Sequence, residues 1–377
     1  MIWVFLCCSL ICLAAYRWGG AKVEKAKLTA LEHFYREVTG AFEPCVYTYR
    51  KTGEILVYED VERLFMPLLY GFRVNSHAEN LVENIGQDNT EAYVPENNSA
   101  EAEKEDSIAT NKDNPVILPQ REKKVVINRT KLQDFDYLRQ NFYQIDNTTT
   151  IGADQLQVDL LLGKNMAIKE AADGPQILIY HTHSKEGYKD SVPGDSSMTV
   201  VGLGDYLETL LEQNYGIEVL HHKGQYDVPT RDAAYSNALP DIEKILKENP
   251  SIEVVIDLHR DGVPETRHFV TEINGKATAQ IMFFNGLSRT TSQGELTYLE
   301  NPNLADNLAL SFQMQLAAAE YYPGLTRKIY LKGYRYNMHL CPKSLLVEVG
   351  AQTNTFAEAK NAMEPLADIL SFVLLKK

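Results

Sequence analysis

Residues 176–183 read QILIYHTH. Four apolar or aromatic residues, Ile177 to Tyr180, run straight into two histidines, and Glu186 follows three positions after the second. A short, continuously apolar run suits a strand buried on both faces. The same design recurs outward from this point. VVGLGDYLETLLEQNYG (200–216) has apolar residues at helical spacing and stops at a glycine, and IEVLHH (217–222) reads as a strand. RDAAYSNALPDIEKILKENP (231–250) is helical with a proline inside it, and IEVVIDLH (252–259) and ATAQIMFFNG (277–286) are strands. NLADNLALSFQMQLAAAEYYPG (303–324) predicts a long helix, SLLVEVG (344–350) a strand, and TFAEAKNAMEPLADILSFVLL (355–375) a closing helix. Apolar strands alternating with helices predict an α/β fold. Its three layers are a sheet of large parallel content with helices on both faces, spanning 174–377.

The chain upstream is organised differently. Residues 120–173 read as a helical preface, with KLQDFDYLRQNFYQID (131–146) at helical spacing. Residues 76–119 are acidic and Asn-rich with few aromatics, a composition that buries too little surface to offset chain entropy, which predicts a disordered linker. Residues 21–75 mix helical and strand signals and form a small N-terminal region. Residues 1–20 begin with an uncharged apolar run, read as a membrane anchor or uncleaved signal. The basic residues after it (Arg17, Lys22, Lys25, Lys27) would by themselves hold the rest of the chain in the cytoplasm.

Hydrophobic residues make up 44% of the 377, enough for a sizeable core. The net charge of −14 argues against nucleic acid as a partner, because phosphate binding needs a basic face. Of the five cysteines only Cys45 and Cys341 lie outside the N-terminal apolar run, so the chain carries neither a disulfide framework nor a zinc ribbon. Two lone thiols are expected, a single Cys45–Cys341 bridge being the alternative.

Ligands of such sheets bind at the carboxyl ends of the strands. Three of the predicted strands end there in groups suited to metal chemistry. Alternation along a strand points His181 and His183 the same way, and a turn after His183 can bring Glu186 back beside them. His259 ends its own strand. Two imidazoles, a carboxylate and an open position make a common catalytic zinc arrangement, with either His183 or His181 as the first ligand. Glu348, near the end of an otherwise apolar strand, is costly there unless paired or functional, and a carboxylate beside a metal is a general base for hydrolysis. Asp257 shares the face of His259 and either orients its ring or is structural. Arg260 and Asp261 either hold a charged substrate or shape a turn that Gly262 completes. His77, His221, His222, His268 and His339 have no spacing that recommends them and read as surface or core residues. VGLGD (201–205) lacks the pattern of a phosphate loop. The tyrosines of KGYRYNMHL (332–340) either pack or line a glycan groove.

Three long segments, residues 177–188, 226–262 and 321–359, resemble in order the stage II sporulation protein P family of spore-forming bacteria. The resemblance covers roughly residues 125–377, with residues 1–124 alike only in layout. It implies a zinc-dependent N-acetylmuramoyl-L-alanine amidase-like fold, with architecture shared by zinc carboxypeptidases. It also implies that His259 is the second zinc histidine and Glu348 the catalytic glutamate of a segment that continues through Gly350, Asn354 and Glu358. HTHSKE (181–186) departs from the amidase pattern and keeps the choice between His181 and His183 open.

The activity so implied is hydrolysis of peptidoglycan during engulfment of the forespore, at the amide between N-acetylmuramic acid and L-Ala and also at peptide cross-links. The implied partners are stage II sporulation proteins D and M. The implied location is the cytoplasmic membrane with the catalytic domain outside it, against the reading of the basic flank. Two other functions compete: a zinc carboxypeptidase-type peptidase, for which Arg260 would hold a terminal carboxylate, and a wall-binding module without activity.

Overall fold

The computed structural model describes residues 117–169, 173–229 and 231–375. The expected anchor (1–20), the small region (21–75), the linker as far as residue 116, Cys45 and His77 lie outside these residues. Among the described residues no helix is long and apolar enough to cross a membrane.

A seven-stranded mixed sheet forms the middle layer. Its strands are β1 (Tyr143–Ile145), β2 (Ile177–Tyr180), β3 (Val219–His221), β4 (Val254–Asp261), β7 (Ile281–Gly286), β10 (Ile329–Lys332) and β11 (Ser344–Ala351). They lie in the order β1-β10-β7-β11-β4-β2-β3. Two small ribbons stand apart from it, β5 (Val270–Ile273) with β6 (Lys276–Ala279), and β8 (Arg289–Thr290) with β9 (Gly294–Glu295). In the main sheet β11, β4, β2 and β3 run parallel to one another, as do β1, β10 and β7, and the two groups meet antiparallel at β7 and β11.

Two of these strands escape the sequence pattern. β1 falls inside the segment expected to be helical, and β10 was not anticipated. β1 sits at the tail of a helically spaced segment, and β10 (IYLK) alternates buried and half-buried residues instead of forming a continuous apolar run. The segment expected as one strand over 277–286 divides into β6 and β7.

The helices cover both faces. On one face α3 (Val200–Tyr215), α5 (Leu304–Tyr321) and α6 (Phe356–Leu374) pack on Ile177, Ile179, Val254, Ile256, Leu258, Leu345, Val347 and Val349. The short helices α1 (Phe135–Phe142) and α2 (Val158–Gly163) extend this core. On the other face α4 (Ala234–Glu248) buries Ala234, Ala238 and Ile242 against Leu178, Tyr180 and Val255. Alternation along the strands produces this division, since neighbouring residues face opposite layers.

Local chemistry sets the helix ends. Thr199 caps α3 by accepting from Val201 N, and Gly216 closes it at φ 66°, a left-handed conformation that glycine adopts without strain. α6 opens with a capping box: the Thr355 hydroxyl accepts from Glu358 N while the Glu358 carboxylate accepts from Thr355 N. α4 tolerates the anticipated Pro240 within its span. Cys341 is a buried free thiol that donates to Glu253 O at 3.1 Å.

Removing the Thr355 hydroxyl leaves an orphan N–H at the start of α6. Thr355→Ala is expected to lower unfolding stability by about 1 kcal/mol, measured by urea denaturation. An unchanged midpoint would show that the box contributes nothing to α6.

Candidate metal centre and general base

The register of β11 on β4 pairs Glu348 with His259, and that of β11 on β7 pairs Glu348 with Met282. Cross-strand partners project on the same face, so the carboxylate and the imidazole stand side by side at the carboxyl ends of β4 and β11. Immediately afterwards the β11 register slips between Glu348 and Ala351. Gly350 adopts φ 59°, and a side chain there would collide with Asn354, whose Oδ1 lies 2.6 Å from where its Cβ would be. Asn354 is fully buried. Its Oδ1 accepts from Ala351 N at 3.0 Å, and its Nδ2 donates to Phe269 O and to Glu358 Oε2. The segment expected to carry a catalytic glutamate is thus one built unit, a bulge, a buried asparagine and a capping box, that ends β11 just beyond Glu348.

Across β4 lies the loop that leaves β2. The strand ends at Tyr180, so the two histidines leave strand geometry and part. This corrects the expectation that they face the same way. His181 turns toward α3. Its Nδ1 donates to Leu258 O at 2.8 Å and its Nε2 meets His221 Nε2 at 2.8 Å, so both ring nitrogens are engaged. His183 turns to the other side, edge-on to Tyr235 of α4 and to His259, with ring centroids 5.8 and 5.3 Å away. Its Nδ1 is buried without a hydrogen-bond partner. Burial, with the positive surroundings of His259 and Arg231, pushes His183 down to about 4, which leaves the neutral imidazole a metal requires.

Glu186 swings back as the spacing suggested. It is 2% exposed, and its Oε2 lies 3.3 Å from His259 Nδ1. Arg260 N donates to the same oxygen at 2.9 Å, and Arg231 Nη2 donates to Oε1 at 2.5 Å. Burial alone would raise this carboxyl; His259, Arg231 and the Arg260 N–H more than offset it and bring it to about 2. On the far side of the imidazole, His259 Nε2 lies 2.7 Å from Asp257 Oδ1, a close charge contact without good hydrogen-bond alignment. Asp257 also accepts from Thr182 N and Thr182 Oγ1, which ties the β2 loop to β4. His259 therefore sits between two carboxylates. Burial opposes its protonation, but Asp257 and Glu186 together push it well above the ordinary imidazole range.

A positive charge is thus demanded at this spot, and a divalent cation meets the demand as well as a proton does. The donor types here, a neutral His183, an ionised Glu186 and His259 backed by Asp257, are those that zinc takes, with ligand atoms that do not all lie within 4.8 Å of one another. Glu348 is the complementary group. Its Oε2 is buried without a hydrogen-bond partner, and desolvation raises its carboxyl to about 8, with Glu186 and Asp261 adding to the shift and His259 and Arg327 opposing it.

The remaining expected residues brace the site. Arg260 spends its guanidinium on backbone, Nε on Gly187 O at 2.5 Å and Nη1 on Asp261 O at 3.0 Å. It holds the Glu186 loop. Asp261 pairs with Arg327 at 2.9 Å and accepts from Gly262 N. Tyr336 packs against Tyr235 and Phe284 with centroids 5.1 and 4.8 Å apart. Arg231 and Tyr235 were not singled out in the sequence. They reach the site from the loop before α4 and from its first turn, and no spacing to the histidines marks them.

The fold and site together define an α/β protein with imidazole and carboxylate donors gathered at the carboxyl edge of a mixed sheet. The chain belongs to the Stage II sporulation protein P (SpoIIP) family, whose model matches residues 60–371. It is similar to the Stage II sporulation protein P of Bacillus subtilis (strain 168), with 25% identity over 217 residues, 53% of this chain and 51% of that protein. The match thus spans about half the length of that curated relative. Among solved structures it is similar to the N-acetylmuramoyl-L-alanine amidase from Clostridium difficile 630, with 16% identity, 54% of this chain, 96% of that chain and a TM-score of 0.32. Another is the N-acetylmuramoyl-L-alanine amidase AmiC2 of Nostoc punctiforme, with 14% identity, 54% of this chain, 98% of that chain and a TM-score of 0.33.

The two histidines of the β2 loop make opposite predictions. Purified His183→Ala, Glu186→Ala and His259→Ala should each lose one equivalent of bound zinc by elemental analysis, because two remaining donors do not close the site. His181→Ala should keep that equivalent. Loss of it in His181→Ala with retention in His183→Ala would reverse the assignment.

Proposed function

We propose that the chain is a sporulation cell-wall hydrolase, a zinc-dependent N-acetylmuramoyl-L-alanine amidase acting on the bond between N-acetylmuramic acid and the L-Ala of the stem peptide. The observation that carries this reading is the meeting of Glu348 with His183, Glu186 and His259 at one strand edge. The resemblance of residues 321–359 to the catalytic segment of such amidases supports the choice of bond, and membership of the sporulation family supports the setting.

His183, Glu186 and His259 would hold the zinc. When bound, zinc would supply Lewis acidity toward a water molecule and the scissile carbonyl. The protein's own part begins with Asp257, which fixes the His259 ring from behind. The Arg260 N–H and the Arg231 guanidinium keep Glu186 ionised and in place. Glu348, desolvated beside His259, would be held in its ionised form by the positive charge of a bound metal; so ionised, it takes a proton from the attacking water and returns it to the departing L-Ala nitrogen. Its Oε2 has no competing partner, so the oxygen is available for that transfer.

We further propose that the domain works outside the cytoplasmic membrane, tethered through residues 1–20, in company with stage II sporulation proteins D and M. Cleavage of peptide cross-links is a second activity of the same site in this reading. A reporter fused after Lys377 that works only in the cytoplasm would overturn the placement.

Glu348→Gln keeps the shape of the side chain but accepts no proton. Its release of stem peptides from purified sacculi should fall at least about 10²-fold, the low end of what general acid–base catalysis is worth, with zinc content unchanged. The wild type should generate new N-terminal L-Ala. Near-normal release by the variant would make Glu348 structural, and products lacking that terminus would exclude an amidase.

A further inference from the structure

Beneath the proposed catalytic edge, on the α3 face of the sheet, lies a second cluster that the function leaves unused. Asp205 and Glu208 are three apart on α3 and therefore share one side of the helix. His221, the last residue of β3, points at both. Its Nδ1 lies 2.8 Å from Asp205 Oδ1 and 3.8 Å from Glu208 Oε2. Among the described residues this is the one group of three such side chains whose ligand atoms all lie within 4.8 Å of one another.

The hydrogen bonds behind the ring decide what that nitrogen offers. His181 Nδ1 faces a carbonyl, Leu258 O, so it carries the proton. A neutral His181 then presents a lone pair at Nε2, and His221 Nε2, 2.8 Å away, must donate to it. That turns His221 Nδ1 to the two carboxylates, where either a proton or a metal ion can join it to Asp205. A divalent ion would take all three donors, and the imidazole's other N–H is already anchored through His181 to the backbone, as metal-bound histidines usually are.

The helix is also shaped to admit the pair. A Cβ at Gly204 would lie 2.5 Å from His221 Nε2 and 3.0 Å from His181 Nε2, so only glycine lets α3 close on the two rings. Access is open on the outer side: His221 is 1% exposed but Asp205 is 45% exposed. Lys223 Nζ, 2.5 Å from Asp205 Oδ1, is the positive group an incoming ion would displace.

We propose that Asp205, Glu208 and His221 form a second divalent-metal site, with the nitrogen and oxygen donors suited to zinc or manganese and with His181 as the residue that orients its imidazole. The site is structural. It pins α3 to the end of β3 and, through Leu258 O, to the strand that carries His259.

Zinc alone is the probe. The full chain is dialysed to equilibrium against zinc, and bound metal is counted by elemental analysis, with circular dichroism confirming the fold of each variant. Two equivalents are expected for the wild type and one for Asp205→Asn and Glu208→Gln, whose changes lie at the exposed rim. His181→Gln should weaken the second equivalent about 10–100-fold while keeping the first. His259→Ala should hold one equivalent, and His259→Ala combined with Glu208→Gln none. A wild type that binds a single zinc lost only with His259 overturns the second site and leaves the proposed catalytic centre standing, the His221 lone pair then being met by a proton. Two equivalents that both survive Asp205→Asn and Glu208→Gln overturn it as well.

Discussion

Placing ionisable groups on the central strands of an apolar sheet is costly, and the energetics of this molecule turn on how that cost is met. Asp257, His259 and Glu348 stand on the two neighbouring strands β4 and β11, where all their neighbours along the strand but Arg260 are Val, Ile or Leu. A charge there needs a counter-charge. Asp257 finds Thr182 and His259; His259 finds Asp257 and Glu186; Glu186 finds Arg231 and the Arg260 N–H. Glu348 Oε2 and His183 Nδ1 are left buried without a hydrogen-bond partner. Buried groups left without partners among compensated ones are the candidates for a ligand or for chemistry, which is the reading proposed for His183 and Glu348.

This explains why so much of the surrounding chain is architecture. The bulge after Glu348, the left-handed Gly350, the buried Asn354 and the capping box of Thr355 and Glu358 together end β11 and start α6 without loose backbone. Arg260 looks like a substrate anchor in the sequence, but its guanidinium clamps the loop that carries Glu186. A motif read from sequence mixes residues that react with residues that hold them. Only geometry separates Glu348 from Asn354.

Much of the fold was legible because it rests on period and punctuation. The strands at 177–180, 254–261 and 344–351 are short apolar runs, and α3 carries both a threonine cap and a glycine stop. The strand-end rule then placed His183, Glu186, His259 and Glu348 together. The reversal between β7 and β11 was not legible, because an apolar strand reads the same in either direction. β1 was hidden in a helically spaced segment, and β10 is not a continuous apolar run. The parting of His181 from His183 depends on where β2 stops, because the two-residue alternation no longer holds beyond Tyr180. Arg231 and Tyr235 reach the site only through the packing of α4, which leaves no trace in local spacing. Gly204 appeared as part of a glycine pattern without a purpose; its purpose is the space it leaves for two imidazoles.

The central claim is that the carboxyl edge of β2, β4 and β11 is a metal centre with a free carboxylate beside it. Anomalous diffraction from crystals of the zinc-loaded protein, recorded on both sides of the zinc absorption edge, tests this most directly. The account predicts a peak in contact with His183, Glu186 and His259, with Glu348 next to it but not bound. A zinc-loaded crystal with no peak at that edge, or with Glu348 or His181 as a ligand in place of His183, would contradict it.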